Sequence, residues 1–122
     1  MNKKIMIVDD EQNILDILEK FLSRNNQLEI QTYTNPTAAL SAVKSNPCDL
    51  ILLDVMMPQM DGMEFLKQTK EFNSNIKVIM MTAYSTMDKM IDSQKIGAND
   101  YVTKPFISLR DVENKVLDQL GD

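Results

Sequence analysis

Leu50-Ile51-Leu52-Leu53-Asp54 is the stretch on which the fold turns. Its four apolar residues make a segment of strand length with no polar side, so both of its faces have to be covered. That is the position of a central strand in a parallel sheet with helices on either face. Ile5-Met6-Ile7-Val8 and Val78-Ile79-Met80-Met81 repeat the pattern. Leu28-Glu29-Ile30-Gln31-Thr32-Tyr33 alternates instead, and Tyr101-Val102-Thr103 is short and half polar, which suits edge strands.

Segments with helical spacing lie between these runs. From Glu11 to about Asn25 a stripe is formed by Ile14, Leu18, Phe21 and Leu22, with Leu15 and Ile17 beside them. Asn35-Pro36 supplies a cap and a first-turn proline before Ala38, Ala39, Ala42 and Val43, and Asn46-Pro47 stops that helix. A third helix is expected from Gly62 through Met63 and Leu66 to Phe72. Ser85 with Asp88, and Ser108 with Asp111, have the spacing of capping boxes, and the last helix should bury Leu109, Val112, Val116 and Leu120. Strand and helix thus alternate, which predicts an α/β sandwich of three layers built as (βα)5 with right-handed crossovers. Placing the alternating and the short strand at the edges gives the sheet order 2-1-3-4-5. This is the flavodoxin-like winding, whose crevice opens at the carboxyl ends of the first and third strands.

Composition narrows the function. Residues 1–122 are expected to form a single domain, since domains peak near about 100–150 residues. The chain has no histidine, which removes imidazole bases, catalytic triads and histidine metal ligands. Cys48 is alone, so an intrachain disulfide and a thiolate zinc site are both excluded, and a small buried residue entering a strand is the expected role. Lys and Arg number 13 against 18 Asp and Glu, a net charge of −5, and the lysines are scattered; no direct nucleic-acid contact is expected. Apolar runs are far short of the roughly 20 residues of a membrane span, and Asp9-Asp10-Glu11 follows the start too closely for a secretory signal. A cytoplasmic protein without membrane attachment is the expectation.

If chemistry is present, carboxylates must carry it. Asp9-Asp10 follows the first strand and Asp54 closes the third, so the topology gathers carboxylates at adjacent strand ends. Like charges so placed would hold one of them protonated unless a hard cation relieved them, and a sparse all-oxygen donor set suits Mg²⁺ better than Ca²⁺. For a single acid, the preference of negative charge for a helix N-terminus, about 0.3–1 kcal/mol, would be sufficient explanation. Thr82 ends the fourth strand and Lys104 the fifth, so both should border the crevice. A hydroxyl and an ammonium are the donors that a phosphoryl group needs, although alone each is an ordinary strand threonine and an ordinary surface lysine. Together these residues describe phosphoryl transfer to Asp54, with the charge balanced by Mg²⁺ and Lys104 and an oxygen held by Thr82.

With these pieces in order, Ile7-Val8-Asp9-Asp10-Glu11, Leu53-Asp54 through Asp61-Gly62, Met81-Thr82-Ala83 and Gly97-Ala98-Asn99-Asp100-Tyr101-Val102-Thr103-Lys104-Pro105-Phe106, the chain resembles the receiver domain of bacterial two-component response regulators over essentially its whole length. The resemblance implies that Asp54 takes phosphate from a phosphohistidine of a sensor histidine kinase or a His-phosphotransfer protein. It implies Mg²⁺ on Asp10, Asp54 and the carbonyl of Met56, with Asp9 acting mainly through metal-bound water. Lys104 and Thr82 would touch the phosphoryl group, and Tyr101 would be the aromatic whose rotamer follows the threonine, re-shaping the face of the fourth helix, fifth strand and fifth helix for a downstream target. An edge-strand aromatic chosen for packing accounts for Tyr101 equally well. The family also implies a cis Lys104–Pro105 bond.

Smaller features follow. Met6, Met80 and Met81 are expected in the core, whereas Met87 and Met90 on the fourth helix would form a docking patch if exposed. Asp61-Gly62 reads as turn chemistry at a helix start. Met56 and Tyr84 occupy positions that in the family tune phosphate lifetime, and both would crowd attacking water, so a moderately long lifetime is expected. A phosphatase acting through its own aspartyl phosphate would need a second Asp where Met56 stands. A flavodoxin-like cofactor carrier would need a glycine loop after the first strand, but the glycines are Gly62, Gly97 and Gly121. An unphosphorylated interaction module would have no need of the complete acidic, hydroxyl and lysine set. Only Gly121-Asp122 follows the last helix, which leaves a stand-alone regulator, monomeric or dimerising on phosphorylation, and the receiver piece of a longer protein both open.

Overall fold

Strand and helix alternate along the chain as β1 (Lys3–Val8), α1 (Gln12–Leu22), β2 (Leu28–Tyr33), α2 (Pro36–Ser45), β3 (Leu50–Asp54), α3 (Gly62–Phe72), β4 (Lys77–Ala83), α4 (Asp88–Ile96), β5 (Asp100–Lys104) and α5 (Leu109–Leu120). This is a computed structural model, and it describes residues 2–83 and 88–121, with the side chains of residues 88–91 outside the description. All strand pairs are parallel and the sheet order is β2-β1-β3-β4-β5. The expected winding is therefore the observed one.

Successive side chains of a strand point to opposite faces, and the two faces carry separate cores. Met6, Val8, Ile51, Leu53, Val78 and Met80 pack with Ala39, Leu40 and Val43 of α2 and Phe65 and Leu66 of α3. Ile5, Ile7, Leu50, Leu52, Ile79 and Met81 pack with Leu15, Leu18 and Leu22 of α1 and Val112 and Val116 of α5. Every residue of β3 is buried, as a strand with two covered faces requires. Cys48 is buried as expected, and burial pushes its thiol up to about 11.

Local chemistry sets the helix ends. Asn35 caps α2, its side chain accepting from the N–H groups of Thr37 (2.8 Å) and Ala38 (3.2 Å), with Pro36 in the first turn. Ser108 caps α5 by accepting from the Asp111 N–H at 3.0 Å. The Ser85–Asp88 box lies outside the described residues.

Several expectations need correction. α1 stops at Leu22, short of Asn25, because the Asn25 side chain accepts from the Gln27 N–H at 2.9 Å and builds a turn in place of a last helical turn. Its buried line is Leu15, Leu18 and Leu22, and Ile17 is 47% exposed. On α2 it is Leu40, with Ala39 and Val43, that is buried, whereas Ala38 is exposed. Leu109 and Leu120 on α5 are only partly buried, being at the ends where the helix outruns the sheet.

Thr69 on α3 is fully buried, and its hydroxyl is the one buried side-chain polar atom without a hydrogen-bond partner among the described residues. An unsatisfied buried hydroxyl costs about 1–3 kcal/mol, and valine has the same shape without it. Thr69→Val should therefore raise the urea-unfolding free energy by about 1 kcal/mol. An unchanged or lowered midpoint would mean that the hydroxyl is satisfied in solution.

Candidate functional site

The alternation that divides the core also builds the site. The Asp9 N–H bonds the Tyr33 carbonyl at 3.1 Å, so the ladder continues one residue beyond β1 and Asp9 falls on the face of Ile5 and Ile7. Asp54 shares that face with Leu50 and Leu52, and Lys104 shares it with Val102. These three side chains meet above the α1/α5 core. Lys104 Nζ lies 2.5 Å from Asp9 Oδ2 and 3.3 Å from Asp54 Oδ1. Asp9 is fully buried, its Oδ1 accepting from the Glu11 N–H at 2.9 Å, while Asp54 is buried and Asp10 exposed. One carboxylate oxygen from each of Asp9, Asp10 and Asp54 lies within 4.8 Å of the others, an arrangement that could hold a metal ion.

A cavity of about 200 Å³ opens on this cluster, lined by Asp10, Glu11, Asp54, Val55, Met56, Met81, Ala83 and Lys104. Of the residues singled out from the sequence, Asp10, Asp54, Met56 and Lys104 thus reach it, and Asp9 supports it from below through Lys104. Thr82 is not among the lining residues. It follows Val78 and Met80 on the opposite face, is buried, and donates its hydroxyl to the Ala83 carbonyl at 3.1 Å. The alternation along β4, which runs on to Ala83, turns the Thr82 side chain away from the cavity in this structure.

Tyr101 is on the Thr82 side. Met80 pairs with Tyr101 and Thr82 with Thr103, so Tyr101 is the diagonal neighbour of Thr82 on one face, and it packs against the α2/α3 core. The Lys104–Pro105 bond is cis. Tyr84 and Met87 lie outside the described residues, as does the Met90 side chain.

Burial crowds these charges. Asp54 is pushed up to about 7, first by loss of water and then by the charge of Asp9, with Lys104 opposing. Asp9 is also raised by burial, against the bonds from Lys104 and the Glu11 N–H. Burial alone would lower Lys104, but the bond to Asp9 and the charges of Asp54 and Asp9 outweigh it and hold the lysine above its ordinary value. The cation is permanent, and the acid on which the proton equilibrium turns is Asp54.

Gly62 is a site residue that the sequence reading missed. A Cβ there would stand 2.5 Å from the Asp54 carbonyl oxygen and 2.8 Å from Val55 Cα, so α3 can begin against the end of β3 only through a glycine. Asp61 caps this helix, accepting from the Met63 N–H at 2.9 Å, and the Gly62 N–H bonds the Val55 carbonyl at 3.0 Å. The signal was available: glycine within a helix costs about 1 kcal/mol and calls for a reason. Gly62→Ala should lower the urea midpoint and displace Asp54, read as an altered proton-binding curve of that carboxyl in carbon-detected NMR; a curve matching wild type would mean that the strand end does not move.

An acid raised from 3.8 to about 7 keeps its proton in the folded chain where the unfolded chain has lost it. The folded state then binds more protons across that window, so the contribution of Asp54 to stability falls as pH rises through it. In metal-free buffer, Asp54→Asn should therefore gain stability over wild type between pH 5 and pH 8, by about 2.5 kcal/mol, since the slope of about 1.4 kcal/mol per pH unit acts only up to about pH 7. Urea unfolding at both values tests this, and an equal gap at both would refute the raised acid.

Comparison with known proteins gives this geometry its context. The family model for the response regulator receiver domain matches residues 5–116. Sporulation initiation phosphotransferase F of Bacillus subtilis is 40% identical over 119 residues, covering 96% of this chain and 95% of that protein. The alkaline phosphatase synthesis transcriptional regulatory protein PhoP of the same organism is 38% identical over 95% of this chain, which spans only 48% of PhoP. Among solved structures, a CheY-like response regulator receiver domain protein from Methanospirillum hungatei superposes with a TM-score of 0.91 at 29% identity, covering 98% of this chain and 94% of that one. The beryllofluoride-activated DrrB receiver domain superposes with a TM-score of 0.89 at 30% identity over the full length of both. The chain belongs to the receiver domain family of the response regulators of two-component signalling.

Proposed function

We propose that Asp54 is the phosphoryl acceptor of this receiver, that residues 1–122 act as one signalling unit in the cytoplasm, and that the donor is a phosphohistidine of a sensor histidine kinase or His-phosphotransfer protein. The observation that carries the reading is the Lys104 ammonium 2.5 Å from Asp9 and 3.3 Å from Asp54 at the cavity. An Asp54 carboxylate oxygen attacks phosphorus, the P–N bond breaks with its electron pair passing to the imidazole, and a mixed anhydride remains. The absence of histidine from this chain fits, because the imidazole belongs to the partner. Lys104 is the fixed cation beside the developing charge and needs no reorganisation to act.

Three carboxylates within 4.8 Å, one of them raised by burial and then by the charge of Asp9, form an all-oxygen set that fits Mg²⁺. Asp10, Asp54 and the Met56 carbonyl are the proposed ligands, with Asp9 acting through a bound water. Bound there, Mg²⁺ supplies neutralisation of the phosphoryl oxygens and favours the ionised form of Asp54. Thr82 would hold a phosphoryl oxygen after turning its hydroxyl away from the Ala83 carbonyl, and Tyr101 would fill the space released, altering the α4-β5-α5 face met by a downstream target. The near-complete match to a sporulation phosphotransferase supports a relay role in which the group is passed on. The unit is then a switch whose only turnover is its own phosphorylation and dephosphorylation.

Incubation with acetyl phosphate and Mg²⁺ followed by intact-mass measurement tests the assignment. Wild type should gain one phosphoryl group, Asp54→Asn none, and Lys104→Met should gain it about 10²-fold more slowly, the scale for losing one preorganised charge donor. Chelating the metal should abolish the gain. A phosphoryl mass that persists in Asp54→Asn would displace Asp54 from its role.

A further inference from the structure

Ser93 on α4 is 1% exposed, and its Oγ donates to the Tyr101 hydroxyl at 3.0 Å. A serine at a buried helix position is less favourable for the helix than alanine, and the bond to Tyr101 is one that alanine could not make. The bond crosses from α4 to β5, between the elements that the Tyr101 switch would move relative to each other.

The backbone of Tyr101 is held independently of its ring. Tyr101 pairs with Met80 in the β4–β5 ladder, and its carbonyl accepts from Lys115 Nζ of α5 at 2.7 Å. What can move is therefore the side chain, about χ1. Staggered rotamers are about 120° apart, and at the end of a tyrosine such a step carries the hydroxyl roughly 10 Å. The 3.0 Å bond to Ser93 cannot survive that step. In this structure the bond coexists with a Thr82 hydroxyl engaged by the Ala83 carbonyl and not lining the acceptor cavity, which is the arrangement expected before phosphorylation.

We propose that Ser93 is a positioning residue for the switch: its hydroxyl latches the Tyr101 ring in the unphosphorylated arrangement and sets how readily phosphorylation at Asp54 releases it. This rests on the reading of Tyr101 as the switch aromatic. A latch of one ordinary hydrogen bond is worth about fivefold in the rotamer equilibrium. Removing the latch should also speed phosphorylation, since the ring is then readier to fill the space that Thr82 leaves on turning toward the phosphoryl group.

The test uses the full chain with carbon-labelled tyrosine, reading the χ1 populations of Tyr101 by NMR couplings before and after acetyl phosphate with Mg²⁺. In unphosphorylated Ser93→Ala the ratio of released to latched ring should rise about fivefold, and the rate of phosphoryl mass gain should rise with it. Alanine suits a helix interior, so loss of fold is not the expected outcome, and Ser93→Thr should keep the hydroxyl and restore wild-type populations. In a Tyr101→Phe background, Ser93→Ala should leave the phosphorylation rate unchanged, because the partner hydroxyl is already gone. Equal ring populations in wild type and Ser93→Ala, or a rate effect undiminished by Tyr101→Phe, would overturn the latch while leaving the switch intact. A wild-type ring that stays put on phosphorylation would instead remove the switch reading of Tyr101, and the latch with it.

Discussion

Two carboxylates buried side by side at the carboxyl ends of β1 and β3 repel each other and are both deprived of water, and the fold tolerates them because one ammonium lies between them. Lys104 meets Asp9 at 2.5 Å and Asp54 at 3.3 Å, yet a single cation does not balance two anions with a third, Asp10, at the rim. Loss of water first, and then the charge of Asp9, pushes Asp54 up to about 7 in spite of Lys104. Breaking such a contact by removing one partner leaves a buried charge uncompensated, which is strongly destabilising in general. The site is thus held in a state that gains from an added cation, and a phosphoryl group on Asp54, which carries more negative charge than the carboxylate it replaces, would need that cation all the more.

The same contact depends on the strand order. β3 and β5 are separated by β4, two interstrand spacings or about 10 Å. A short cationic side chain on β5 could not bridge that gap, whereas the four-carbon stem of lysine can, and the face shared by Lys104 and Val102 aims it inward. An edge strand is usually the least defined part of a sheet, but here Lys115 of α5 holds the Tyr101 carbonyl, and Asn99 ties the strand's start to Val78, accepting from its N–H and donating to its carbonyl, each at 2.8 Å. The reach of Lys104 is therefore anchored by contacts well away from it.

What could be read from residues alone divides along physical lines. The continuous apolar runs of β1, β3 and β4 fixed their burial on both faces, and with it the sheet order, because nothing else accommodates a strand lacking a polar side. The carboxylates and Lys104 were legible because strand ends in this winding have one place to converge. Thr82 is legible as a strand-end residue, but its face depends on the alternation from Val78 and Met80, which turns its side chain to the α3 side in this structure. Gly62 is legible as a glycine that needs a reason at a helix start, but turn chemistry supplies one, and only the 2.5 Å approach to the Asp54 carbonyl shows the second. Ser93 was invisible for a similar reason, since a hydroxyl in a helix carries no mark of the tyrosine on the neighbouring strand that it will meet.

The division of the sheet into two faces also explains how an event at the acceptor could be felt elsewhere. Asp9, Asp54 and Lys104 stand on the α1/α5 side, while Thr82, Tyr101 and Ser93 belong to the side of α3 and α4. No side chain needs to pass through the sheet to connect them, because β4 presents consecutive residues to both. Met81 and Ala83 line the cavity and Thr82 between them faces the other way, and the Val55 N–H bonds the Met81 carbonyl at 3.1 Å, joining the acceptor loop to that same short stretch. In the proposed switch, a displacement of the chain after Asp54 would reach the backbone on either side of Thr82 through this bond, and the alternation of β4 would present it on the opposite face, where the Tyr101 ring meets Ser93.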